Sequence, residues 1–371
     1  MIPLRAAAEF PLRAELYSAD QMERHGKALA LGHRLRPRRL ARRGADPLLA
    51  RLTRNETVLV ATGELLKATV TRGQRIAPAG EWLLDNFHLV EEQVRTAKRH
   101  LPKAYSRELP RLAEGPPAGL PRAYDIALEA ISHGDGRLDA ESLRRFVGAY
   151  QRAAPLKLGE LWAIPIMLRL ALIENLRRVA ARIAASTTER DLADRWAERM
   201  IETAGRDPKS LVLLTADMAR SDPPMVSSFV AELARRLQGQ SAALALPLTW
   251  IEQRLAELGL TIEHLVQSQT QEQAADQVSM ANSIGSLRLL GAIDWREFVE
   301  TLSVVEQALR DDAVYAAMDF ATRDRYRHAV EAIAKASPMS EGEVARACPS
   351  TDCASPCQAA SKPSHCRAGP R

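Results

Sequence analysis

Apolar residues recur along this chain at three- and four-residue spacing. No stretch alternates apolar and polar positions long enough to make a convincing strand. The spacing predicts helices near 20–32, 47–71, 80–99, 122–133, 140–152, 165–186, 189–204, 223–238, 250–258, 262–282, 295–310 and 323–336. The expected fold is therefore all-α, a multi-helix bundle of about twelve helices with room for two packed helical subdomains. Start and stop signals support the reading. Thr249 with Glu252, Asp294 with Glu297 and Ser340 with Glu343 have capping-box spacing. Pro223, after Ser221 and Asp222, suits a first helical turn. Gly205, Gly239 and Gly259 sit just beyond helical runs, as stop residues do.

The prolines of residues 101–121 predict a loop between a helical region at 1–100 and a second at 122–347 that continues the same domain. A weaker break falls at 153–160. From Cys348 onward the chain has no Leu, Ile, Val or Phe, so 348–371 cannot build a core and reads as a disordered tail. Ser340 to Ala347 looks like the first turns of a helix cut off by this tail, the pattern expected of a shifted reading frame. All four cysteines lie in the tail, and a cysteine-free body fits a reducing compartment.

Composition changes this picture only locally. Hydrophobic residues make up 46% and aromatics only 5%, so Leu, Ala, Ile and Val must fill the interior. The formal net charge of +5 is unevenly placed: Arg24 to Arg54 holds ten Lys/Arg and one acid, Asp46. Its densest part, Arg34, Arg36, Arg38, Arg39, Arg42 and Arg43, would be drawn to an anionic membrane surface, and less so to nucleic acid, for which no accompanying motif exists. The plainer reading is a solvated face. No secretory signal opens the chain. The longest apolar run, Leu161 to Leu168, ends at Arg169, short of the roughly 20 residues a membrane span requires. A cytosolic soluble protein, or the soluble part of something longer, is expected.

Three segments concentrate candidate chemistry. On a continuous helix, Glu81, Asp85, His88 and Glu92 would share one face. A His between carboxylates points to a divalent metal or a proton relay. The alternative is a polar face whose carboxylates orient His88 and pair with Arg95. Glu160, Arg169 and Glu174 interrupt the apolar run Leu158 to Arg178, which suggests a buried acid–base network or, more plainly, a core helix charged at its margin, with Pro165 in its first turn and Arg177 and Arg178 at its C-terminal end. Arg323, Arg325 and Arg327 would clamp a phosphate if they pointed one way. Alternate helical positions diverge, which favours a structural hub. Asp135-Gly136-Arg137-Leu138-Asp139 resembles a calcium loop only faintly, because Arg137 stands where a ligand oxygen belongs. A turn before a helix near Ala140 is the better reading. The cysteine spacing does not suit zinc. No GxxxxGK, GxGxxG or HExxH motif occurs, and no two aspartates are separated by a single residue.

The strings EWLLDNFHLVEEQVR, LGELWAIPIMLRLALIENLRR, VSMANSIGSLRLLGAIDWREFVE and MDFATRDRYRHAVEAIA resemble the N-terminal region of cyclic β-1,2-glucan synthases. PLRAELYSADQMERHGKALA, HLPKAYSRELPRL and HGDGRLD fit as well, and the resemblance runs from about residue 11 to 347. Members of that family are large inner-membrane proteins of Gram-negative bacteria that polymerise glucose from UDP-glucose. The resemblance implies a cytoplasmic helical region facing the inner membrane, whose partner is the remainder of a membrane-embedded synthase. A divalent metal (Mg or Mn) and UDP-glucose are implied for the intact synthase only. For this chain no cofactor is expected, and no catalytic residue of the family can be placed on a position here. The expectation is a truncated part inactive alone. The alternative is a stand-alone helical scaffold without catalysis.

Overall fold

The computed structural model describes residues 15–36, 46–101 and 105–347, with only the backbone of Tyr105 and Arg107. Arg38 to Arg43 and the cysteine-containing tail, 348–371, lie outside the described residues. The helices are α1 (Ala19–Gly32), α2 (Pro47–Thr71), α3 (Pro78–Asp85), α4 (Phe87–His100), α5 (Tyr105–Glu108), α6 (Arg122–Ser132), α7 (Ala140–Ala153), α8 (Leu158–Arg206), α9 (Leu211–Arg220), α10 (Ser227–Leu237), α11 (Ala245–Glu257), α12 (Ile262–Leu289), α13 (Trp295–Leu302), α14 (Val304–Leu309), α15 (Ala313–Ala316), α16 (Phe320–Ala336) and α17 (Glu341–Ala347). Among the described residues, extended pairing is limited to two isolated bridges, Leu35 with Leu112 and Arg111 with Pro121. The fold is all-α. No helix among them is long and apolar enough to cross a membrane.

The described residues sort into two compact units. The first holds α2 to α6, α8 from Ile166 onward and α9 to α12. The second holds α1, α7, the opening turns of α8 and α13 to α17. Along the sequence the units interleave.

In the first unit, α2 buries Leu48, Leu52, Leu59 and Leu66, one stripe at helical spacing. Its start is fixed by Asp46, which accepts a hydrogen bond from Leu48 N, with Pro47 at the first helical position. Leu83, Val90, Val94 and Ala97 give α3 and α4 their buried sides, and Ile173, Leu176, Ala180 and Ile183 line α8. Each such Leu, Ile or Val contributes about 1.5–3 kcal/mol by leaving water. A further cluster gathers Trp196 and Met200 of α8, Leu211 and Met218 of α9, Phe229 and Leu233 of α10, Ile251 and Leu255 of α11, and Leu265 of α12. In the second unit, α1 packs along α7, and Val305, Leu309, Tyr315, Val330, Val344 and Ala345 close a core over α14 to α17.

Several expectations need correction. Helices predicted at 165–186 and 189–204 are one 49-residue helix, α8. Thr187 and Thr188, which read as a break, turn their hydroxyls back to the carbonyls of Ile183 (2.7 Å) and Ala184 (2.9 Å), so the helix continues through them. Pro165 therefore lies inside α8, and Arg177 and Arg178 lie in its middle. Gly205 is within the helix, whereas Gly239 and Gly259 do follow helix ends, both at positive φ. The segment 80–99 is two helices meeting at Asn86, and 295–310 is two meeting at Ser303. Helix α9 was missed, and Pro223 lies in the turn before α10. Thr249 is interior to α11 and caps nothing. Asp294 does cap α13, accepting from Arg296 N and Glu297 N. Ser340 and Glu343 form a reciprocal box, with Ser340 N donating to Glu343 Oε2 at 2.7 Å and Glu343 N to Ser340 Oγ at 3.3 Å.

Candidate functional site

The break at Asn86 puts Glu81 and Asp85 on α3 and His88 and Glu92 on α4. All four side chains are exposed. Among the described residues they do not gather ligand atoms around one point, and none pairs with Arg95. The bend has one local and one distant support. Asn86 Nδ2 donates back to the Trp82 carbonyl at 2.9 Å, and its Oδ1 accepts from Arg288 Nη2 on α12 at 2.6 Å.

Glu160, Arg169 and Glu174 do not form one network. Glu160 is buried at the start of α8, where its Oε2 accepts from Lys157 N at 3.0 Å, while Glu341 Oε2 accepts from Leu158 N at 2.8 Å. Both carboxylates answer the unsatisfied N–H groups and positive end of the longest helix. Burial raises the Glu341 pKa despite that hydrogen bond. Arg169 donates to Gln93 Oε1 at 2.8 Å, and burial lowers its pKa. Glu174 is a buried anion of the first unit. It accepts Nε of Arg51 at 2.5 Å and the Tyr124 hydroxyl at 2.7 Å. Burial opposes its charge, but Arg51 and Tyr124 outweigh it and hold its pKa below the ordinary value. Tyr124 is pushed the other way, by burial and then by the Glu174 charge beside it.

Arg323 and Arg325 part company. Arg325 is exposed. Arg323 turns inward with Arg327, one helical turn on, to Glu306 and Glu300. Arg323 Nη1 lies 2.9 Å from Glu306 and Arg327 Nη1 lies 2.8 Å from it. Arg310, Tyr315 and Asp324 complete the cluster. Phe320 has the guanidinium of Arg327 4.8 Å from its ring centre and that of Arg296 at 4.9 Å. With its acids inside the second unit, this arrangement neutralises cations and leaves no open phosphate clamp.

Two groups were not singled out by sequence reasoning. The first is a polar seam on α12. Ser279, Ser283 and Ser286 recur at helical spacing and are all buried. Asn175 of α8 donates to Ser279 Oγ (3.1 Å) and Ser283 Oγ (2.9 Å), Ser286 Oγ accepts from Leu138 N (2.8 Å), and Asn282 donates to the Asp135 carbonyl (3.2 Å). Asp276 pairs with Arg182. The turn expected at Asp135–Asp139 is thus the seam's third partner, after α8 and the Asn86 bend. The signal was the 3-4-3 spacing of small polar residues, which a solvated face also shows.

The second group is a carboxyl pair between α8 and α10. Burial, then the charge and hydrogen bond of Glu232, raise the Asp194 pKa from an ordinary 3.8 to about 6, against Arg236 and Arg235. A carboxyl whose pKa is raised by folding favours the fold when protonated. That contribution is complete below the unfolded value and is lost as pH rises through about 6. Asp194→Asn is therefore expected to gain on the wild type in melting temperature between about pH 4 and pH 6, measured as the difference between the two proteins. A difference that stays flat over this range would show that the pair is not proton-sharing.

No family model matches the chain. Over 295 residues, 80% of its length, it is 34% identical to the cyclic beta-(1,2)-glucan synthase NdvB of Rhizobium meliloti (strain 1021). It spans only 10% of that protein. The resemblance carried by the quoted strings therefore holds: across four fifths of its length, this chain is a relative of one segment of a cyclic β-(1,2)-glucan synthase.

Proposed function

We propose that this chain serves as a helical scaffold portion of a cyclic β-(1,2)-glucan synthase, placed on the cytoplasmic side of the inner membrane, with glucosyl transfer from UDP-glucose residing in other parts of the synthase. The observation that carries this reading is where the matching strings sit. Asn86, the turn Asp135 to Leu138 and Asn175 come from three of them, and each bonds to side chains of a fourth on α12: Asn86 to Arg288, the turn to Ser286 and Asn282, and Asn175 to Ser279 and Ser283. Groups so occupied hold helices in place. The ligand atoms of Glu81, Asp85, His88 and Glu92 do not converge on one point among the described residues, and the reading gives these residues no part in holding a divalent metal.

The test is glucan formation from radiolabelled UDP-glucose. Three proteins are compared: this chain alone, the Rhizobium synthase lacking the matching segment, and that synthase carrying this chain in its place. The expected result is no glucan from the first two and restored synthesis in the third. Glucan made by the chain alone would overturn the scaffold assignment. A graft no better than the deletion would favour a stand-alone helical module.

A further inference from the structure

We propose that the groove between α1 and α7 in the second unit seats the phosphate group of an anionic phospholipid, so that this face docks on a lipid surface. The inference rests on the shape and charge of the groove, not on the glucan-synthase reading. Arg24 and Lys27 of α1 line a space of about 570 Å³ together with Arg145 and Arg152 of α7, a volume within the range of small-molecule sites. Its two acids, Asp20 and Glu23, leave the lining net positive. The walls are held close. A methyl group added at Gly26 of α1 would lie 2.5 Å from the Phe146 carbonyl of α7, so the two helices have no slack between them.

The charges divide into two sets. Arg145 Nη2 donates to Asp20 at 2.6 Å and to Glu23 at 2.8 Å, and Arg152 Nη2 donates to Glu23 at 2.6 Å. The acids are thus taken up, and two guanidiniums are fixed in the groove. Among the described residues, Arg24 donates only to the Asp20 carbonyl, at 3.4 Å, and Lys27 has no hydrogen bond or ion pair. These two cations supply the donors that a phosphate needs. The next turn of α1 selects the source of that phosphate. Leu31, four residues after Lys27, is 59% exposed, and Arg34 Nη1 turns back to the Leu31 carbonyl at 2.9 Å. An apolar side chain in water between basic ones is the pattern of a helix at a lipid interface. Its cations meet headgroup phosphates while its apolar residue enters the acyl boundary. A free phosphate would leave Leu31 without a role.

Co-sedimentation of the full 371-residue chain with phosphatidylcholine vesicles, with and without phosphatidylglycerol, tests this. Binding is expected only with phosphatidylglycerol, and it should fall as salt rises. Arg24→Gln combined with Lys27→Gln should lower the partition coefficient roughly tenfold or more, the scale of two cations lost from an anionic surface. Leu31→Ser should lower it several-fold. Arg325→Gln, an exposed cation elsewhere in the second unit, should leave it unchanged. Arg38 to Arg43 are retained in every variant, so the differences read the groove alone. Arg24, Lys27 and Leu31 are exposed, so their variants should melt like the wild type, which separates lost binding from lost fold. A wild type that binds both vesicles alike or neither would overturn the proposal. So would an Arg24→Gln, Lys27→Gln double variant that binds fully, or a loss that Arg325→Gln matches. Full binding by Leu31→Ser, with displacement by millimolar inorganic phosphate, would overturn the lipid assignment and give the groove to a soluble phosphate. Each of these results leaves the grafted-synthase experiment untouched, so the two readings fail separately.

Discussion

Replacing Glu306 by alanine is expected to destabilise the second unit by about 3–5 kcal/mol, the cost of stripping a buried ion cluster of one partner. Glu306 has no exposed surface, and neither has Arg327. Glu306 accepts from Arg310 Nε at 2.8 Å, Arg323 Nη1 at 2.9 Å, Arg327 Nη1 at 2.8 Å and the Tyr315 hydroxyl at 2.7 Å. Without it, three guanidiniums share Glu300 and Asp324, and the Tyr315 hydroxyl loses its carboxylate. Arg310 is half-exposed and can turn to water. Arg323 and Arg327 cannot, and their desolvation is then uncompensated.

Acid should imitate the substitution. Burial works against the Glu306 charge, but hydrogen bonds from Arg310, Tyr315 and Arg327 prevail and lower its pKa. A carboxylate with a depressed folded pKa stabilises above its unfolded value and loses that contribution as pH falls through the folded one. Urea unfolding at neutral pH and in acid checks both arms. The gap between wild type and Glu306→Ala should narrow in acid. A neutral-pH loss below about 1 kcal/mol, the range of exposed pairs, would mean that water reaches the cluster. Glu306→Leu combined with Arg323→Met and Arg327→Met should cost less than Glu306→Ala alone, because apolar replacement removes the orphaned charges together with their partner.

The Glu306 cluster marks how far the sequence could be read. Helix α2 was legible to the residue because Asp46 and Pro47 start it and its leucines keep period throughout. Glu174 stood out as a charge within an apolar run, Arg323 stood out as one of three alternating arginines, and helical divergence separated it from Arg325. Their partners were not legible. Arg51 lies 123 positions from Glu174, and Glu306 lies 17 from Arg323, and no local rule pairs them. The Asn86 bend depends on Arg288, 202 positions away, so a continuous helix was the natural reading. The α12 seam was hidden for a different reason. Serine and asparagine suit a wet surface as well as a buried polar contact, and only the facing helix decides between them.

The tightest point of that seam is Gly136, and Gly136→Ala is expected to cost about 2–4 kcal/mol, from left-handed strain plus overpacking. The chain reverses here through Asp135 (φ 47°) and Gly136 (φ 78°), with Arg137 N donating to the Gly134 carbonyl at 2.9 Å, as in a mirror-image turn. A methyl group at position 136 would run into Ser283 Oγ and come within 2.9 Å of Asn175 Nδ2 and 3.2 Å of the Ser279 carbonyl. Two of these three contacts are not flexible tips. Asn175 is buried and bonded to both serines, and the third is backbone. Gly259→Ala separates the two costs. Gly259 has nearly the same φ, 71°, but nothing lies within 4 Å of the added carbon, so it should show the backbone strain alone, about 1–2 kcal/mol. Ser283→Ala separates them a second way. Alone it removes one acceptor from Asn175, about 1 kcal/mol. Together with Gly136→Ala it also clears the worst overlap, so the double variant should lose less than the sum of the singles in chemical denaturation. Strict additivity, or a Gly136→Ala loss equal to that of Gly259→Ala, would mean the turn moves away from α12 freely, and the seam would then not be what holds the turn in place.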